Sequence, residues 1–254
     1  MDRLHFSGKT ILVTGAGSGI GAATARLLAA AGASRLVVTD RDAAALEALD
    51  VPCHVTRLVG DVADEAHWAA VEPHLTGLDH AVLNAGVASG SPIAELDFAE
   101  WRRVLGINLD GAFLSLRAVM RTICDGGSVV LTASISGVKA EPGTAAYGAS
   151  KAGVIQLAKV AAREGAARKV RVNAIAPGGV DTPIWDQTPF FRALVDEHGG
   201  DRAAALAAMA RMATPLGRYA TAEEIAGQIA FLLSDAAAAT ITGAVLASDG
   251  GYSL

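Results

Sequence analysis

The chain has 254 residues, 52% hydrophobic and 19% charged, with a net charge of −5, which is enough length to bury the core of one α/β domain. So mild an acidity leaves no electrostatic footprint for nucleic acid or an anionic membrane. Met1–Lys9 lacks the apolar core of a signal peptide. The most apolar stretch, Ile225–Ser248, is broken by Gly227, Asp235 and Gly243, which favours a buried helix and strand over a membrane span. Cys53 and Cys124 have neither metal nor redox spacing. No metal site is expected, and a reducing, cytoplasmic setting fits best.

Thr10–Thr14 is a short strand-like apolar run, followed directly by Gly15-Ala-Gly-Ser-Gly-Ile-Gly21 and then by helix formers from Ala22 to Ala31, with Gly32 as the stop. Strand, glycine loop and helix form the context that a dinucleotide fingerprint requires. Glycines let the backbone approach a pyrophosphate, and the first N–H groups of the helix face the anion. A second strand, Leu36–Asp40, ends on a carboxylate 19 positions after Gly21, about where an adenosine ribose lies in such folds. A carboxylate accepts from free ribose hydroxyls and repels a 2′-phosphate, so NAD is favoured over NADP. Arg41, next in sequence, is the one cation placed to pair with such a phosphate.

The alternation continues. Val55–Val59 leads into Gly60-Asp61-Val62, and Asp64 reads as the N-cap of the next helix. His80–Leu83 is a buried-strand pattern closing on Asn84-Ala85-Gly86. Asp97-Phe-Ala-Glu100 reads as a capping box opening a long helix that carries Asn108 between two apolar residues. Ser128–Ala133 is a strand that delivers Ser134, and Tyr147 and Lys151 stand four apart, on one face of a helix beginning near Gly148. An ammonium beside a phenol would lower its pKa toward the working pH of a general acid/base. A further helix is expected over 152–167, then the strand 170–176 and the break Pro177-Gly178-Gly179. Val180–Pro183 follows, then a stretch holding three of the nine Phe and Trp residues: Trp185, Phe190 and Phe191. Lying past a strand's carboxyl end, the region 182–214 reads either as an apolar lid over a pocket or as a packed helix pair. Thr221–Glu224 caps a last helix, and Ala244–Gly251 makes a closing strand and turn. Seven strands alternating with about six helices give one doubly wound parallel sheet over residues 1–254, covered by helices on both faces.

Thr14–Gly21, Asn84–Gly86, Asn108, Ser134, Tyr147-Gly-Ala-Ser-Lys151 and Pro177-Gly178, in this order, resemble the classical short-chain dehydrogenase/reductase family over Gly8–Gly251. The resemblance implies a Rossmann-type seven-stranded sheet, NAD(P)-dependent interconversion of alcohol and ketone, and a homotetramer. By position, Tyr147 would be the acid/base, Lys151 would lower its pKa and hold the nicotinamide ribose, Ser134 would bind the substrate oxygen, and Asn108 would hold a relay water. Gly15, Ser18, Gly19, Ile20 and Gly21 would cradle the pyrophosphate, with Asp40 and Arg41 at the adenosine ribose and Asp61 and Val62 at the adenine. Asn84, Ala85 and Gly86 would flank the adenosine, and Pro177, Gly178, Val180 and Thr182 the nicotinamide end. Leu83 and Ala133 depart from the family pattern, each loosening a local hydrogen bond.

These residues point to an NAD-dependent dehydrogenase acting on a largely apolar, cyclic or aryl-bearing secondary alcohol. Ser134, Ser136, Tyr147, Ile184, Trp185 and Phe190 are the expected substrate contacts, and Lys139, Asp186 and Arg192 are available for a polar substituent. The competing readings are an NADPH-dependent carbonyl or 3-oxoacyl-carrier-protein reductase, which Asp40 opposes, and a non-catalytic dinucleotide-binding regulator, which the complete tetrad opposes.

Overall fold

Residues 4–254 are described by a computed structural model. The strands β1 (Thr10–Thr14), β2 (Arg35–Asp40), β3 (His54–Val59), β4 (Leu78–Leu83), β5 (Ile123–Thr132), β6 (Arg171–Pro177) and β7 (Val245–Ser248) form one sheet in the order β3-β2-β1-β4-β5-β6-β7. Every neighbouring pair is parallel. The order reverses between β1 and β4, so a crevice opens at their carboxyl ends, where open α/β sheets take their ligands.

The helices are α1 (Gly19–Ala30), α2 (Ala43–Glu47), α3 (Glu65–Val71), α4 (Phe98–Leu105), α5 (Gly111–Thr122), α6 (Ala145–Gly165), α7 (Pro189–Glu197), α8 (Arg202–Ala213) and α9 (Ala222–Leu233). Strand side chains alternate between the two faces. Leu12, Val37 and Leu131 pack with Trp68, Val119 and Val154 of α3, α5 and α6. Ile11, Val13 and Val130 pack with Leu28, Leu46 and Ile229 of α1, α2 and α9. Both faces are therefore apolar, which is why these strands read as continuous hydrophobic runs. Each fully buried aliphatic side chain contributes roughly 1.5–3 kcal/mol to this core.

Several local expectations need correction. The helix bearing Tyr147 begins at Ala145 and runs unbroken to Gly165, so the two helices expected there are one, and Tyr147 lies in its first turn. The turn before it is made by Gly143, whose φ of +82° suits glycine. Asp97 makes no side-chain cap, and Glu100, the other half of the expected box, pairs with Arg103 at 2.6 Å. Asp64 and Thr221 do cap their helices, the latter in a full capping box. The short helix α2 and a two-residue parallel pairing of Val180–Asp181 with Ala220–Thr221 are additions to the expected plan.

Candidate active site

The glycine loop is shaped by contacts that leave no room for side chains. Gly15 and Gly19 have φ of +65° and +50°, and a Cβ on Gly21 would fall on the Gly15 carbonyl oxygen. Ser18 makes no side-chain cap to α1, so the first N–H groups of that helix, among them those of Gly19, Ile20 and Gly21, lack a capping partner. Asn84 ties this loop to β4: its Nδ2 donates to the Thr14 and Gly15 carbonyls at 3.3 and 3.4 Å. Thr14 Oγ1 accepts the N–H groups of both Asn84 and Ala85. Asp40 accepts from the N–H of Gly17 at 2.9 Å and of Asp42 at 3.0 Å. Its carboxylate is thereby held at the end of β2, with Arg41 exposed beside it. Asp61 is exposed and accepts from the Ala63 N–H. Val62 is buried, and its carbonyl accepts the Trp68 indole N–H.

Past β4 the chain meets a π-helical turn, Gly106–Asp110, between α4 and α5. Such single turns recur at functional sites because they re-aim one side chain. Here that side chain is Asn108, 1% exposed. Its Oδ1 accepts the Val87 N–H at 2.8 Å, and its Nδ2 donates to the Val87 carbonyl and to Ser150 Oγ at 3.0 and 3.1 Å. These bonds make the amide a brace between the β4 loop and α6, and Oδ1, which accepts one of them, also faces Gly86. Ser150 in turn donates to the Tyr147 carbonyl. Sequence reasoning passed over Ser150 and Thr14 as positioning groups, although both sit inside the quoted motifs.

Ser134, Tyr147 and Lys151 converge. Ser134 is 7% exposed, caps a 3₁₀ turn by accepting the Ser136 N–H, and hydrogen-bonds the Tyr147 phenol. Lys151 Nζ donates to the Thr132 carbonyl at 2.9 Å and lies 5.8 Å from the Tyr147 ring centre. Burial holds the lysine pKa down to about 8. Burial also pushes the phenol up, opposed only by the Ser134 hydrogen bond. The expected lowering of the phenol by Lys151 is therefore absent in this geometry: both groups are desolvated, and the ammonium points to a backbone carbonyl.

The space over this group fits a flat dinucleotide. Gly86 is exposed, and a Cβ there would stand 3.2 Å from Lys151 Nζ and 3.1 Å from Asn108 Oδ1. Thr132, whose carbonyl accepts from the Lys151 ammonium, has its Oγ1 buried without a protein partner. Farther along, Gly178 abuts Asp249 closely, and Thr182 carbons lie 3.3 Å from where a Gly19 Cβ would be. The segment after β6 thus leans onto the glycine loop, with Pro177 and Val180 buried.

The aromatic stretch mostly packs on itself. Trp185 donates its indole N–H to the Val180 carbonyl, stacks on Tyr219 at 5.8 Å and faces Phe191, which is fully buried with Leu206 and Met209. Trp185 is thus packed largely within its own 182–214 segment and against Tyr219. Phe190, also expected against substrate, is 63% exposed. Ile184 is half-buried. Asp186 is engaged by Arg202, as described below. Among the described residues no cluster of metal-ligating side chains occurs, and no helix is long and apolar enough to cross a membrane.

The sequence model of a family described as enoyl-(acyl carrier protein) reductase matches residues 15–253. Cis-4-hydroxycyclohexanecarboxylate dehydrogenase of Sinomonas cyclohexanicum is 41% identical over 97% of each chain. The chain is a short-chain dehydrogenase/reductase. D-threitol dehydrogenase of Mycolicibacterium smegmatis is 40% identical over 98% of this chain and 95% of its own. The crystal structure of L-sorbose reductase from Gluconobacter frateurii, complexed with NADPH and L-sorbose, superposes with a TM-score of 0.91 at 30% identity, covering 99% and 98% of the two chains. As a member of this family the enzyme interconverts a secondary alcohol and a ketone with a nicotinamide dinucleotide.

Proposed function

We propose that this short-chain dehydrogenase/reductase is NAD-dependent and oxidises a largely apolar, ring-bearing secondary alcohol, with Ser134, Tyr147 and Lys151 as its catalytic residues. The observation that carries the reading is their convergence on one another, with Lys151 Nζ beside the exposed Gly86. When bound, the dinucleotide supplies the hydride acceptor. Ser134, already in hydrogen-bond contact with the phenol, holds the carbinol oxygen, and Tyr147 takes its proton. Lys151 holds the nicotinamide ribose and brings a positive charge toward the phenol, favouring the phenolate against the burial that opposes it. Asn108 acts one layer back, keeping α6 and the β4 loop in register. The glycine loop from Gly15 to Gly21 takes the pyrophosphate, and Pro177, Gly178, Val180 and Thr182 border the nicotinamide end.

Asp40 supports NAD over NADP: its carboxylate is held at the end of β2 by two backbone N–H groups, and a carboxylate there would repel a 2′-phosphate. The ring-bearing substrate is supported by the cyclohexane substrate named for the 41% identical relative and by the carbon surface of Ile184 and Phe190 at residues 182–214, the proposed lid. A homotetramer is supported by exposed Phe113 and Val160 on α5 and α6, and a cytoplasmic setting by two free cysteines. The test follows reduction of NAD and NADP in parallel over cyclic, aryl, polyol and hydroxy-acid alcohols. Faster turnover with NADP, or with open-chain polyols, would overturn the corresponding part. Tyr147→Phe should lower turnover by about 10³-fold or more while leaving dinucleotide affinity unchanged; an active variant would remove the phenol from the mechanism.

A further inference from the structure

The loop from Ser134 to Tyr147 carries two charged residues on its outward limb, Lys139 and Glu141. Both are met by one side chain from the other end of the chain. Lys139 Nζ donates to the Tyr252 carbonyl at 2.8 Å and stands 4.1 Å above the centre of the Tyr252 ring. Glu141 lies 3.6 Å from the same ammonium and accepts a hydrogen bond from the Tyr252 hydroxyl. Tyr252 therefore engages the cation with its ring and carbonyl, and the anion with its hydroxyl.

The segment behind Tyr252 is itself firmly rooted. Asp249 accepts the N–H groups of Gly251 and Ser253 at 3.0 and 2.8 Å. Ser248 accepts from the Gly178 N–H at 3.0 Å, and Gly250 from the Leu216 N–H at 3.1 Å. This segment joins the Pro177–Gly178 turn, the chain just past α8, and the loop that ends in Tyr147. The other limb of that loop is tied by the Ser91 N–H to the Gly143 carbonyl at 2.8 Å. Between those ties the span from Val138 to Pro142 has the Tyr252 contacts as its long-range side-chain anchor.

We infer that Tyr252 is a positioning residue: by gripping Lys139 and Glu141 it orders the loop between Ser134 and Tyr147 and so sets how tightly the carbinol oxygen is held. The inference rests on the proposed roles of Ser134 and Tyr147. A cation–π contact and charge-assisted hydrogen bonds act together here. Lys139 and Glu141 keep 38% and 28% of their side-chain surface, so screening limits the effect to about tenfold rather than hundredfold.

The test compares Tyr252→Ala, Tyr252→Phe, Lys139→Met and the Tyr252→Ala/Lys139→Met pair in the full chain. Amide hydrogen exchange is read over residues 135–144 without any alcohol, alongside dinucleotide affinity and alcohol kinetics. Tyr252→Ala should speed exchange in that loop and raise KM for the alcohol about 5–20-fold, with kcat within about threefold and dinucleotide affinity unchanged. Tyr252→Phe keeps the ring over the ammonium and should show a smaller part of the effect. The double variant should be no worse than the stronger single one, since the two residues act through one contact. Unchanged exchange in Tyr252→Ala, or fully additive effects in the pair, would overturn the inference. Because exchange is measured without substrate, it decides the role of Tyr252 even if every alcohol in the panel fails.

Discussion

The dinucleotide-facing half of the crevice and the lid segment beyond β6 are ordered by different forces. Around Gly15–Gly21 and Asn84–Gly86, backbone meets backbone: glycines touch carbonyls, and short polar side chains tie one strand end to the next. A single added methyl has nowhere to go. The proposed lid, residues 182–214, instead carries a small core of its own, with Phe191, Leu206 and Met209 packed with Trp185, and is held by one guanidinium. Arg202 donates to Asp186 and Asp181 at 2.7 Å each and to the Thr182 carbonyl at 3.0 Å. Shape complementarity of small residues makes the first region intolerant of change. A partly exposed ionic clasp leaves the second less tightly constrained, in keeping with its proposed role as a lid.

The largest test of that contrast is Gly21→Ala. Its Cβ would collide with the Gly15 carbonyl, a backbone atom that cannot swing aside. Dinucleotide affinity should fall by more than about 100-fold and stability by roughly 1–3 kcal/mol, both readable by cofactor titration and denaturant midpoint. A variant that binds normally would show that the loop is more plastic than its packing implies.

The sheet beneath that loop carries an acid-sensitive group. His80 is 1% exposed and pairs with Ser128 at 2.7 Å, and the Ser128 hydroxyl donates its own hydrogen bond to the Leu233 carbonyl. The imidazole therefore donates to Ser128 through Nδ1. Burial, set against the mixed charges of Asp235, Lys9, Asp79 and Arg171, holds its pKa down to about 4. Below its ordinary value near 6.5 the unfolded chain binds the proton and the folded one does not, so stability declines as pH falls from about 6.5 to 4 and levels off below. The loss should approach about 3 kcal/mol, and His80→Asn should flatten the profile measured by urea midpoints across that range.

Effects in the lid should be smaller and of another kind. Arg202→Ala should raise KM for the dinucleotide about tenfold by freeing Thr182 from its place against Gly19, while costing under about 1 kcal/mol of stability, because the guanidinium is partly exposed. Equal loss of stability and affinity would mean that the clasp holds up the fold rather than the lid. Phe190→Ala is the mildest: the ring is exposed, so stability should move by less than about 0.5 kcal/mol. Any marked change in KM for ring-bearing alcohols would then report direct contact with substrate.

Much of this was visible in the linear chain, because the decisive signals are local. Strand, glycine loop and helix follow one another within Thr10–Ala31, apolar runs announce strands buried on both faces, and four-residue spacing puts Tyr147 and Lys151 on one side of α6. The amino-acid order alone thus determined the doubly wound class and the convergence of Ser134, Tyr147 and Lys151. It did not determine how side chains are shared between distant segments. Folding braces Asn108 against Val87 and Ser150, packs Trp185 against Tyr219 and Phe191, and brings Lys139 to Tyr252 across 113 positions. The same holds for proton affinities. Spacing predicts that an ammonium and a phenol are neighbours, whereas only the packed cleft decides that burial raises the phenol and lowers the lysine, since burial depends on every element that closes over them.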